Sequence, residues 1–311
     1  MASFEKVNYT LRPAKSIERK MLCECFRRLT PFSEIESYRY VGFGSTYFSD
    51  FSLIHRSLGI SNLISIEREE ESSERFEFNL PFRSIDLQMG QSTDLLPELD
   101  WSPRTILWLD YDCKINADVL ADVATFCRSC TSGSVLVVTV NSQPDSESDQ
   151  CRLKSLTRRV GESKIPTDID PSRLGGWGTA ECSYRIIGAE IESTISHRNG
   201  VLPKDNKLDY RQLFNFHYRD SARMLTTGGV VYKQCELSET NACRFEQLDF
   251  VRNAGDAYEI LVPNLTFKEM RHIEAQLPRG EGGIEIPLDE QDIVAYERVY
   301  RYFPIFVEAE L

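Results

Sequence analysis

Between residues 37 and 141 the chain alternates short β-rich runs with stretches of helical or loop character, and this alternation constrains the fold more than any other feature. Strands separated by crossovers long enough to hold a helix form a parallel sheet covered on both faces. Five strands are expected, over residues 38–43, 62–68, 84–89, 105–111 and 134–141. Two of them, containing Ile106-Leu107-Trp108-Leu109 and Val135-Leu136-Val137-Val138, are nearly continuous apolar runs, as strands buried on both faces require. Phe48, Phe51, Leu53, Ile54 and Leu58 give the first crossover an apolar helical face, and Gly59 supplies the left-handed conformation that ends it. Asn116 is a good N-cap for a second crossover helix carrying Val119, Leu120, Val123 and Phe126 at helical spacing. The fold class is therefore α/β, a Rossmann-like, mostly parallel sheet with flanking helices.

After Asn141 the alternation stops, and a polar, turn-rich stretch leads into an insertion of about residues 145–205. A helix is expected around residues 210–224, and the runs at 228–232 and 258–262 read as a final antiparallel pair on the same sheet. Ahead of the sheet, Ser16 is the expected N-cap of a helix whose Ile17, Met21, Leu22 and Phe26 form one stripe. At the far end, amphipathic helices over 267–277 and 289–302 flank Gly280-Glu281-Gly282-Gly283. The 311 residues thus divide into an N-terminal helical segment (1–36), one large domain (37–265) and a C-terminal helical appendage (266–311).

Lys plus Arg count 36 against 48 Asp plus Glu, a net charge of −12 that disfavours extended nucleic-acid binding. Met1 to Lys6 lacks the basic and apolar stretches of a secretory signal, and no run of about 18 apolar residues marks a membrane span. A cytoplasmic protein is expected. Nine cysteines never form two close pairs around a loop, so Cys127 and Cys130 read as buried thiols, and His55, His197, His217 and His272 lack metal-ligand spacing. No metal is expected.

The chemistry gathers behind the first strand. Gly42-Phe43-Gly44-Ser45 follows that strand and is expected to open a helix, so backbone N–H groups converge where a cofactor's polar tail can lie. Glu67 ends the second strand, 23 residues beyond Gly44, where a carboxylate accepts hydrogen bonds from ribose hydroxyls. The alternative is that Glu67 only begins a solvated acidic run. A dinucleotide site wants a third glycine where Tyr47 stands, which argues against an NAD-dependent oxidoreductase. In Leu109-Asp110-Tyr111-Asp112, two carboxylates at the edge of the sheet can serve as general base, cofactor anchor or metal ligands, and Asp110 and Asp112 share a strand face if extended geometry persists. Arg12, Lys15, Arg19 and Lys20 form a basic segment that either folds over the cofactor or is a solvated helix face. Trp177, in Gly175-Gly176-Trp177-Gly178, either reaches an acceptor or sits at a loop tip.

The stretch from Tyr40 to Phe48, with Ile66-Glu67-Arg68-Glu69, resembles class I S-adenosylmethionine-dependent methyltransferases, and within them a bacterial family labelled "putative O-methyltransferase". The resemblance covers about residues 10–141. It implies that Gly42, Phe43, Gly44 and Ser45 line the methionine portion of S-adenosylmethionine, that Glu67 with Arg68 borders the ribose, and that Gln91 and Ser92 border the adenine. It further implies that Asp110 ends the fourth strand beside the reacting centre, before an acceptor the sequence does not identify, with Asp112 the second candidate catalytic carboxylate on the reading of the Asp110-Tyr111-Asp112 stretch. Tyr40 occupies the position where many such enzymes carry an acid, so the cofactor's amino group must be recognised elsewhere. A non-catalytic module that keeps the fold within an assembly is the competing reading.

Overall fold

A computed structural model describes residues 12–145, 148–280 and 283–304. The elements begin with α1 (Pro13–Arg27), β1 (Arg39–Gly42), α2 (Ser49–Leu58), β2 (Asn62–Glu67), α3 (Ser73–Phe78), β3 (Ile85–Met89), α4 (Ser92–Leu95), β4 (Thr105–Asp110), α5 (Ala117–Ser129) and β5 (Ser134–Asn141). All five strands stand where the alternation puts them. The left-handed Gly59, at φ 73°, ends α2, and the Asn116 side chain accepts from the Val119 amide at 3.0 Å to cap α5. Helices α6 (Asp149–Val160) and α7 (Gly178–Val201) occupy the stretch before β6 (Leu208–Arg219) and β7 (Arg223–Lys233), followed by α8 (Leu237–Ala242), β8 (Tyr258–Ile260), α9 (Phe267–Glu274) and α10 (Glu290–Val299).

The eight strands form one sheet in the order β3-β2-β1-β4-β5-β7-β6-β8, with β7 antiparallel to both its neighbours and the other pairings parallel. Period-two alternation splits the core into two layers. Tyr40, Ile106, Trp108, Val135 and Val137 pack on the face covered by α1 and α2, while Val41, Leu107, Leu109, Leu136 and Val138 pack on the face covered by α5 and α7. Ile273, Ile284, Ile293 and Tyr296 form a separate small cluster at the C-terminal end. Glu281 and Gly282 of the glycine-rich run lie outside the described residues.

Four local expectations are corrected. Residues 210–224 are not a helix but most of β6, the turn and the start of β7; a bulge between Gln212 and Phe214 interrupts the alternation that would have marked a strand. The runs at 228–232 and 258–262 do not pair, because β6 lies between them and joins β8 in parallel. Ser16 is not the N-cap of α1, which starts a turn earlier at Pro13. Its orphan amides at Ala14 and Lys15 are instead met at 3.1 and 3.2 Å by the Asp220 carboxylate, in the β6–β7 turn. Finally, the Gly42–Ser45 stretch does not open a helix directly. Residues 43–48 form a turn in which the non-glycine residues Ser45 and Phe48 both adopt positive φ, 50° and 45°, before α2 begins.

Candidate active site

Because β1, β2 and β4 run parallel and in register, with Gly42 opposite both Ser65 and Trp108, their carboxyl ends deliver Gly42, Glu67 and Asp110 to one edge. An open cleft lies there. Phe43, Gly44, Ser45, Glu67, Arg68, Gln91, Ser92, Asp110 and Asp112 all line it, drawn from the turns after β1, β2, β3 and β4. Gly42 does not. A Cβ there would stand 2.8 Å from the Tyr40 hydroxyl, so its bare backbone makes room for the buried tyrosine beneath the loop. A Cβ on Gly44 would land on the Phe48 ring and 2.8 Å from Ser65 Oγ, so Gly44 is required by close approach.

Glu67 ties this loop to the sheet. Its Oε1 accepts from the Ser45 amide at 2.8 Å and from Ser65 Oγ at 3.0 Å, and Ser65 Oγ in turn accepts from the Gly44 amide at 3.1 Å. The side chain is 9% exposed, and burial pushes its carboxyl up to about 7 against the downward pull of these hydrogen bonds. Arg68, beside it, faces solvent and pairs with Glu69 at 3.2 Å.

Beyond Glu67 the cleft is walled by Phe43 and Tyr111, whose rings meet edge to face at 5.2 Å, and by Ser92. A single fully buried carboxylate behind this wall, Asp122 of α5, accepts from both Ser92 Oγ and the Tyr111 hydroxyl. Burial raises Asp122, and its Oδ1 has no hydrogen-bond partner among the described residues. Sequence reasoning missed Asp122, although it interrupts the apolar face formed by Val119, Val123 and Phe126.

At the opposite end stand Asp110 and the basic segment of α1. Lys15 Nζ reaches Asp110 at 2.6 Å, Glu18 at 2.7 Å and the Tyr218 hydroxyl at 3.2 Å, and lies 4.6 Å over the Trp108 ring. Neither Lys15 nor Arg19 is on a solvated helix face: both are buried, and Arg19 lines the cleft. Lys20 donates to the Phe303 carbonyl at 3.0 Å. Burial raises Glu18 in spite of the opposing Lys15 charge. Asp50, in the first turn of α2, also lines the cleft and accepts a short hydrogen bond from the Tyr40 hydroxyl. It too was missed, since nothing in its local sequence places it beneath Tyr40. The β4 strand ends at Asp110 and the chain bends at Asp112 and Cys113, so the two carboxylates do not continue one extended face; Asp112 is exposed at the rim.

Trp177 is not a loop tip. It is half-buried and stacks at 4.7 Å on His217, whose ring burial holds it down to about 4. Among the described residues no group of His, Cys, Asp or Glu could hold a metal, all nine cysteines are free, and no helix is long and apolar enough to cross a membrane.

A family model described as "Putative O-methyltransferase" matches residues 7–311. A comparison with curated proteins gives no match. Among solved structures, the chain is similar to Trm1 from Pyrococcus horikoshii in complex with S-adenosyl-L-methionine, at 11% identity and a TM-score of 0.43, covering 73% of this chain and 57% of that one. It thus spans little more than half of the Trm1 chain. It is also similar to the O-methyltransferase TomG from Streptomyces achromogenes, in complex with SAM, at 15% identity and a TM-score of 0.38 over 69% of this chain and 80% of that one. DesVI from Streptomyces venezuelae matches at 14% identity and a TM-score of 0.38, over 69% and 91% of the respective chains. These likenesses are remote.

Proposed function

The chain belongs to the family described as "Putative O-methyltransferase"; we propose that it is an S-adenosylmethionine-dependent methyltransferase, with the cleft at the carboxyl ends of β1, β2 and β4 as the place where the cofactor sits and an acceptor oxygen meets it. The observation that carries this reading is the charge of the cleft. Six carboxylates line it, on Asp50, Glu67, Glu69, Asp110, Asp112 and Asp118, against the guanidinium groups of Arg19 and Arg68. Such a lining attracts a cationic sulfonium and repels the pyrophosphate of a dinucleotide. The buried Ser49 Oγ, which lines the cleft without a hydrogen-bond partner among the described residues, further suits a ligand lying against the loop.

Within this reading Glu67 receives the ribose hydroxyls, and Ser92 and Gln91, with the Phe43 and Tyr111 rings, border the adenine. S-adenosylmethionine, when bound, supplies an electrophilic methyl group. Asp110, fixed by Lys15, holds negative charge beside the reacting centre, and Asp112, exposed at the rim, takes the proton of an acceptor hydroxyl. Nine free thiols suit a reducing compartment and support a cytoplasmic location. Calorimetric titration with S-adenosylmethionine, S-adenosylhomocysteine and NAD tests the cofactor reading: micromolar binding of the first two is expected, and binding of NAD alone overturns it. Methyl transfer to a panel of hydroxyl compounds then tests the acceptor class.

A further inference from the structure

We propose that Asp50, buttressed by Tyr40, is the acceptor for the α-ammonium group of the cofactor's amino-acid end; this rests on the cofactor reading above. That end is a zwitterion, so it needs a carboxylate and a cation side by side, and beneath the loop after β1 the cleft offers such a pair in Asp50 and Arg19, near enough for the Arg19 charge to act on Asp50; the cleft's other pair, Arg68 with Glu69, is exposed. The other carboxylate nearby, Asp110, is already engaged by Lys15 at 2.6 Å.

Asp50 differs from a surface acid in three respects. It is 8% exposed yet lines the cleft, so what remains accessible of it faces the ligand space. Its Oδ2 accepts from a tyrosine that is itself fully buried, and that tyrosine reaches it because Gly42 leaves the room a Cβ would take from the Tyr40 hydroxyl. Its surroundings penalise the charge: burial and the nearby Asp110 raise it, and Arg19 and the Tyr40 hydroxyl oppose them. An arriving ammonium adds a charge-assisted hydrogen bond to a carboxylate already desolvated and held in place. Tyr40 thereby acts as a positioning residue.

The test compares two ligands that share adenosine and differ at the amino-acid end. S-adenosylhomocysteine carries the ammonium and carboxylate; methylthioadenosine carries neither. By calorimetry, Asp50→Asn should weaken S-adenosylhomocysteine about 10- to 100-fold and leave methylthioadenosine within about twofold. Decarboxylated S-adenosylhomocysteine, which keeps only the amine, should weaken with it. Tyr40→Phe, which keeps the ring packing, should weaken S-adenosylhomocysteine about 3- to 10-fold with methylthioadenosine again unchanged, and it decides the matter if the Asn variant does not fold. Equal weakening of both ligands, or none, overturns the assignment while leaving the cofactor reading intact. A native protein that binds neither ligand overturns both.

Discussion

At the β2–β3 end of the cleft the buried acids, Glu67 and Asp122, are met only by hydroxyls and backbone amides, whereas at the α1 end Glu18, Asp50 and Asp110 are interleaved with Lys15 and Arg19. At both ends burial pushes the acids up, Glu67 and Asp122 at the first and Glu18 and Asp50 at the second. Only the second sets cations, Lys15 and Arg19, against that rise, which suits a ligand that brings charges of both signs. Under the proposed function, these two settings face the nucleoside and the amino-acid end of the cofactor respectively.

The contrast breaks most visibly at Lys15. Lys15→Met leaves Asp110 and Glu18 without their shared cation, and stability measured by urea unfolding should fall by about 3–5 kcal/mol. The loss should shrink as the pH is lowered and the stranded Glu18, already raised by burial, takes up a proton; an equal loss at all pH values would make Lys15 a packing residue. Next, Asp110→Asn removes charge while keeping shape, and turnover should fall about 10²- to 10³-fold, the loss of an electrostatic contact at the reacting centre, with cofactor affinity nearly unchanged. If affinity falls in step, Asp110 anchors the cofactor instead.

At the other end the effects are smaller and depend on pH. Glu67→Ala should weaken cofactor binding by about 1–3 kcal/mol, measured as a change in Kd. Because the native carboxyl stands near 7 rather than at its ordinary 4.5, the folded state holds a proton that the unfolded chain releases. Its contribution to stability is therefore present below pH 4.5 and lost as pH rises through about 7. Relative to Glu67→Gln, the native protein should thus lose stability across that window while its cofactor affinity rises, since ribose hydroxyls donate to the ionised form. Parallel trends would refute the ribose role. The smallest change is expected from Asp122→Asn, which loosens Ser92 and Tyr111 together and should cost about 1 kcal/mol in methylthioadenosine binding. No change in that ligand would make Asp122 a strut for α5 alone.

The first five strands were legible from the alternation of β-rich runs with crossovers, β4 and β5 most clearly because burial on both faces leaves continuous apolar runs, and α5 because Asn116 caps it from its own sequence. The β6–β7 hairpin was not, because Leu213, Phe214 and Phe216 straddle a bulge and mimic a helical spacing. In the site, Gly44, Ser45, Glu67, Ser92 and Asp110 follow from one rule about the carboxyl edge of a parallel sheet. Asp50 and Lys15 do not, since their roles exist only once Tyr40 and Asp110, distant in sequence, are packed against them.

Asp220 adds a temporal consequence. The helix carrying Lys15 and Arg19 begins the described chain, yet its leading amides are satisfied by a carboxylate more than 200 residues later. During synthesis, β1 to β5 can pair as they emerge, but the leading amides of α1 lack the Asp220 carboxylate until the β6–β7 turn has left the ribosome. The charged half of the cleft is therefore finished last, and a nascent chain interrupted before residue 220 would present its sheet with one wall of the cleft unsecured.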